Sequence, residues 1–187
     1  MDRRGAVLDA VERLVLREGV HAVSMRAVAK EAGVSLRLVQ YYGSSKAELL
    51  DGALARLSER STADWRERMG RAESVRGVLA AFIDAALPVD EQRRAFHRFG
   101  VSLEQLALTG EDGAGRFYTA HIGVVVAALA SALNAHLDAP GAQRVAESAV
   151  AFSHGLGTLV MAGLVAADRA GALITDYLDQ VEAASED

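Results

Sequence analysis

The chain has no cysteine and only two prolines among its 187 residues. The missing cysteines exclude disulfide frameworks, thiol catalysis, iron–sulfur clusters and cysteine-ligated zinc, and they fit a reducing compartment. So few prolines argue against a loop-rich β sandwich. No alternating run is long enough for a strand, and no Asn-Gly or Asp-Gly turn joins β-branched runs. Met1 to Gly19 is charged throughout and has no signal-peptide apolar region. The enzyme signatures are missing too. The five histidines form no i, i+4 pair and no His-Glu-x-x-His, no pair of Glu-x-x-His runs is present for a di-iron bundle, and there is no Gly-rich phosphate loop or nucleophile elbow. Glu111 and Asp112 lie in a Gly-rich loop with too few carboxylates nearby for calcium. No catalytic residue, metal or cofactor is expected.

What remains is the composition of a folded protein: 51% hydrophobic and 24% charged, enough chain for one ordinary domain or two small ones. Among the basic residues only Lys30 and Lys46 are lysine, which with the Ala, Val and Gly richness points to a GC-rich bacterial genome. The net charge is −5, unevenly spread. Residues 1–60 hold ten Arg/Lys against eight Asp/Glu, and residues 61–187 hold ten against seventeen. Between Ser24 and Lys46 stand Arg26, Lys30, Arg37 and Lys46 against Glu31 alone, a local charge of +3. A basic patch on an acidic body can mark a nucleic-acid face, although this patch is small.

Two stretches, between Arg116 and Asp138 and between Glu147 and Asp168, carry no formal charge. Each has the length of a membrane span. The first contains His121, Asn134 and His136. The second contains Ser148, Ser153, His154 and Thr158 with three glycines. Neither is flanked by Lys/Arg clusters or aromatic belts, so buried helices of a soluble bundle are the favoured reading and a membrane hairpin the alternative.

The punctuation predicts an all-α chain of about nine helices. The first runs from about Arg3 to Arg17, with Val7, Leu8, Val11, Leu14 and Val15 on one face, and Gly19 ends it. Ser24 caps a second through Ala32, and Ser35 caps a third through Tyr42. Ser45 and Glu48 read as a capping box opening a fourth, to about Met69. Five more are expected near 74–87, 91–109, 116–138, 142–167 and 172–184, with breaks at Pro88, Gly110–Gly115 and Ala139-Pro140-Gly141.

The run MRAVAKEAGVSLRLVQYYGS has the spacing of a helix-turn-helix. Ala29 is small where two helices must meet, Gly33 stands at the turn, and Val39 returns to the core, with Val28, Ala32, Val34 and Tyr42 completing the inward set. The third helix then presents Ser35, Leu36, Arg37, Gln40 and Tyr41. Arg suits guanine O6/N7, Gln suits adenine N6/N7, and Leu36 suits a thymine methyl. Arg26, Ser35, Tyr41, Tyr42 and Lys46 suit phosphates, Lys46 at a helix start where free N–H groups attract an anion. Ala-x-x-x-Gly alone is common by chance in such a chain, and Arg37 with Gln40 also fits a solvated face. The two caps, the turn Gly, the inward set and the local charge agree on the sharper reading.

Residues 4–50, RGAVLDAVERLVLREGVHAVSMRAVAKEAGVSLRLVQYYGSSKAELL, resemble the DNA-binding domain of the TetR family of bacterial transcriptional regulators. The resemblance covers about a quarter of the chain, and the remainder matches in length and helical character. It implies an N-terminal three-helix DNA-binding domain over 1–50 and a helical effector-binding and dimerisation domain over 51–187. It further implies a cytoplasmic homodimer whose two third helices enter successive major grooves, about 34–36 Å apart, on a pseudo-palindromic operator. A small, largely apolar effector would release this repressor by favouring a conformer with misplaced reading heads, the long fourth helix acting as lever.

Pocket residues implied in this way are Trp65, Phe96, Phe99, Gln105, Phe117, Tyr118, His121, Phe152, His154 and Met161, each of which also fits plain core packing. The last two long helices would pair between subunits through Ala149, Leu156, Gly157, Val160, Leu164, Tyr177, Leu178 and Val181, with Gly155, Ala162 and Gly163 allowing close approach; an intramolecular core is the alternative. One departure stands out: the family's usual Phe three residues before the Lys is Gly43 here, and the usual Tyr near Gln40 is shifted to Tyr41 and Tyr42. An unfilled Phe site would cost about 3–5 kcal/mol, so Tyr42 or Tyr41 is expected to fill it. Gly43 also supports the alternative function, a helical small-molecule-binding or interaction protein with a vestigial DNA-binding head.

Overall fold

The computed structural model describes residues 2–109 and 115–185, and among these the chain is all-α, with nine helices and one short 3-10 turn. The expected break at residues 110–114, with Glu111 and Asp112, lies outside the described residues. The chain divides into two compact units, Met1–Arg60 with Arg98–His121, and Ser61–His97 with Ile122–Asp187.

The first unit begins with α1 (Arg3–Glu18), which buries Val7, Leu8, Val11, Leu14 and Val15 on one face. Gly19 ends it at φ +87, its N–H bonded to Val15 O at 2.9 Å. A 3-10 turn, Val20–Ala22, comes next, an element that the sequence pattern does not predict; it carries Val20 inward, and Val23 is buried just beyond it. Ser24 Oγ accepts the Ala27 N–H at 3.2 Å and starts α2 (Met25–Ala32). Gly33 turns the chain at φ +66, where left-handed backbone favours glycine. Ser35 Oγ then accepts the Leu38 N–H at 3.3 Å and starts α3 (Leu36–Tyr42). Val28, Ala29 and Val39 close the small core, and α4 (Lys46–Gly70) adds Leu49, Leu50, Ala53, Leu54 and Leu57.

In the second unit α5 (Val75–Ala86) packs on α8 (Ala139–Met161) and α9 (Ala167–Ser185). Val78, Leu79, Phe82 and Ile83 meet Leu129, Leu133, Ala142, Ala146, Ala149, Leu156, Ala170 and Leu178 in one apolar cluster. Arg76 of α5 bonds to Asp179 and Glu182 of α9 at 2.5 and 3.2 Å. Helices α6 (Glu91–Thr109) and α7 (Gly115–Leu133), like α4, continue from one unit into the other.

Four boundaries differ from expectation; α9 begins at Ala167 rather than 172, and the other three differ for local reasons. Helix α7 ends at Leu133 rather than 138, and His136 and Leu137 close a turn on the Leu133 carbonyl. Ala139-Pro140-Gly141 is the first turn of α8 rather than a break: Asp138 Oδ1 accepts the Gly141 N–H at 2.9 Å, and Pro140 sits where a helix needs no donor. Helix α8 stops at Met161 because Gly163 takes φ +72. The uncharged stretch after Glu147 is therefore not one span. Among the described residues one helix segment, Arg116–Leu133, is long and apolar enough to cross a membrane by length and composition, and its Leu129 and Leu133 are buried in the second unit's core.

Leu49 stands in the space beside Gly43, and the exposed Tyr41 does not fill it. Tyr41 is 80% exposed and Tyr42 half-buried, their rings edge to face at 5.1 Å. A Cβ on Gly43 would stand 2.7 Å from Leu49 Cδ2 and 2.9 Å from its Cγ, and Leu49 is fully buried. Gly43 has an extended backbone (φ −164) that any residue adopts, so the demand is for room. Gly43→Ala is expected to destabilise by about 1–3 kcal/mol, and Gly43→Phe by more, through overpacking. Urea unfolding of the two variants checks this, and a stabilised Gly43→Phe would mean that the site is vacant.

Candidate nucleic-acid interface

Helix α3 presents its polar residues on one side because Val39 is drawn into the core and Ser35 fixes the first turn. Ser35, Leu36, Arg37, Gln40 and Tyr41 are exposed together there, with Arg26 exposed at the start of α2; Tyr42 and Lys46 are half-buried. Among the described residues Arg26, Lys30, Arg37 and Lys46 make no ion pair, so their charge is available to an incoming anion.

Glu31, the one acid in this segment, is held away by α1. Arg13 Nε donates to Oε1 at 2.8 Å and Arg17 Nη2 to Oε2 at 3.0 Å. Arg17 also pairs with Glu18. Hydrogen bonds from Arg17 and then Arg13 hold the Glu31 carboxyl well below its usual range, at about 2.

The start of α4 differs from the expected capping box. Ser45 Oγ accepts the Glu48 N–H at 3.2 Å, but the Glu48 carboxylate turns to Ser44, accepting its N–H at 2.7 Å and its hydroxyl at 2.9 Å. These bonds, the backbone one first, lower the Glu48 carboxyl from its usual range. The Glu48 carboxylate is thus bonded to Ser44, which precedes the first turn of α4, and Lys46 opens that turn.

The pocket candidates divide between the units. Phe99, Gln105, Phe117, Tyr118 and His121 belong to the first, where Phe99 is fully buried, Gln105 exposed and the others intermediate. Tyr118 lies near Gly100, and burial, then the Glu104 charge, push its phenol up to about 12. Trp65, Phe96, Phe152, His154 and Met161 belong to the second unit. There Trp65 meets Phe82 edge to face in the core, and Phe152 stacks on Tyr177 at 4.3 Å, with Tyr177 OH bonded to Ser148 Oγ at 3.1 Å. His154 faces His97 at 5.6 Å, and His97 Nε2 is 3.2 Å from Thr158 Oγ1. Sequence reading missed His97, whose partners stand 57 and 61 residues away in the chain. Of the expected dimer residues, Ala149, Leu156 and Leu178 join the second unit's core. Gly157 lies against Pro88 and His97, where a Cβ would meet His97 Cε1 at 2.8 Å. Val160, Tyr177 and Val181 are partly buried, and Leu164 is 75% exposed. Among the described residues no three His, Asp or Glu gather as metal ligands.

A helix-turn-helix whose outer helix exposes Arg37 and Gln40 is the kind of surface a DNA-binding regulator uses. The sequence pattern of bacterial regulatory proteins, tetR family, matches residues 7–53. The HTH-type transcriptional regulator BetI of Agrobacterium fabrum is 30% identical across 95% of this chain and 86% of its own length. The nicotine-responsive transcriptional repressor HdnoR of Paenarthrobacter nicotinovorans is 32% identical over 84 residues, 45% of this chain. In HdnoR and two further curated regulators the match spans only 43%, 29% and 33% of the relative's length. A transcriptional regulator from Rhodococcus sp. Rha1 shares the fold at a TM-score of 0.80 and 22% identity over 95% of both chains. The chain belongs to the TetR family of helix-turn-helix transcriptional regulators.

Glu31 makes the first unit acid-sensitive in one direction. Its carboxyl is lower in the folded than in the unfolded chain, so its contribution is complete above pH 4.5 and is lost as pH falls toward about 2. Wild type is expected to melt above Glu31→Gln at neutral pH, and the gap to close over that window. Thermal melts of both proteins across it check the sign; a gap that widens on acidification contradicts the assignment.

Proposed function

We propose that this chain represses transcription as a homodimer, reading a pseudo-palindromic operator and leaving it when a small, largely apolar effector binds. The observation that carries the reading is the outward face of α3, where Arg37, Gln40 and Tyr41 stand exposed with no internal partner for the Arg37 charge among the described residues. Arg37 and Gln40 read base edges, Leu36 adds an apolar contact, and Arg26, Ser35, Tyr41, Tyr42 and Lys46 hold phosphates.

Residues 1–50 serve as the DNA-binding domain and 51–187 as the effector-binding and dimerisation domain, working in the cytoplasm. The candidate pocket residues include aromatic rings and two histidines, residue types suited to an apolar ligand with a few polar contacts. A relative's name, nicotine-responsive, supports a small-molecule input. Against the vestigial-head reading, Leu49 stands where a side chain at Gly43 would go, which gives that glycine a packing role.

Selection from random duplex DNA tests this. Wild type should enrich a pseudo-palindrome, and Arg37→Ala/Gln40→Ala should lose it. The logarithm of affinity should fall by about 0.9 per neutralised phosphate for each decade of salt. No enrichment by folded wild type overturns the reading.

A further inference from the structure

The core joining α1 to α2 and α3 is apolar: Val7, Val11, Val28, Ala29 and Val39 are all buried. Such contacts are non-directional and leave one helix able to roll on another. The directional ties of α2 to α1 converge on Glu31. Its two carboxylate oxygens are taken by different arginines, Arg13 and Arg17, one turn apart on α1. Arg13 Nη2 also approaches the Glu31 carbonyl at 3.4 Å, in the last turn of α2. Glu31 precedes the Gly33 turn by two residues, so a roll at Glu31 passes into α3.

We propose that Glu31 is a positioning residue for operator recognition: gripped by Arg13 and Arg17, it fixes the rotation of the α2–α3 pair and so the angle at which Arg37 and Gln40 meet base edges. The inference rests on the DNA-reading function proposed above. Electrostatics alone would act in the opposite sense. Glu31 is the only acid between Ser24 and Lys46, so removing its charge should strengthen attraction to phosphates. Base contacts need tight angular placement, whereas phosphate contacts carry no sequence information. Misplacement should therefore appear as lost specificity.

The test uses the full chain, the operator selected with wild type, and a random duplex of equal length. Glu31→Gln is expected to lose at least about tenfold in operator affinity, within the range of one mismatched base pair. Its affinity for the random duplex should stay level or rise, with melting within a few degrees of wild type. Glu31→Asp should recover most of the loss. Arg13→Gln/Arg17→Gln should lose as much as Glu31→Gln, and combining all three changes should add nothing further, as for residues of one network. The arginine pair also serves if Glu31→Gln does not fold. Operator binding unchanged in Glu31→Gln, operator and random affinities falling together, or additive losses would each overturn the proposal. A wild type that selects no operator fails the DNA-reading function and this inference with it. An operator bound equally by wild type and Glu31→Gln fails the inference alone.

Discussion

Gly33 takes φ +66 and ψ +32, and beyond its own stretch of chain nothing lies within 4 Å of where its Cβ would stand. The constraint there is conformational, since a side chain in left-handed backbone costs about 1–2 kcal/mol. The helix-turn-helix of the first unit depends on that bend. It lets the Val34 N–H reach the Ala29 carbonyl at 3.0 Å, closing α2. It sets Ser35 to cap α3, and it brings Val39 back to Val28 and Ala29 in the core. Gly43, ten residues later, meets the opposite demand. Its backbone suits any residue, but Leu49 leaves no room for a side chain. One glycine shapes the turn and the other admits the neighbour that packs behind α3.

The charges from Arg26 to Glu48 fall into two groups with different fates. Glu31 and Glu48 are both engaged by neighbours within the unit, the one by α1 arginines and the other by Ser44. Arg26, Lys30, Arg37 and Lys46 have no such ion pairs among the described residues. A chain of net charge −5 can thus present a cationic surface, because the acids of that segment are committed inward or along the backbone. Local arrangement outweighs net charge at distances near the screening length of about 8 Å.

Local chemistry was legible in the sequence. Ser24, Ser35 and Ser45 each cap the helix they precede, and the α3 face stands where the inward positions of Val28, Ala29 and Val39 imply. Contacts that depend on distant chain segments were not. Even the meeting of Leu49 with Gly43, six residues earlier, depends on how α4 leaves the turn. The grip of Arg13 and Arg17 on Glu31 spans 18 and 14 residues. His97 meets His154 only because α6 and α8 lie side by side in the second unit. Pro140 misled because proline both breaks helices and begins them, and the cap at Asp138 decides which.

The chain has one tryptophan, and it belongs wholly to the second unit's core. Trp65 is almost fully buried, edge-on to Phe82 at 5.7 Å, with the Arg66 guanidinium 5.6 Å from its ring. Tyr41, in contrast, sits exposed on the reading helix beside Tyr42. The indole thus belongs to one unit and the exposed phenol to the other. Light at the red edge of protein absorption excites only the indole, so its emission follows events around Trp65 and Phe82. Changes in the second unit's core can then be followed in an unlabelled sample.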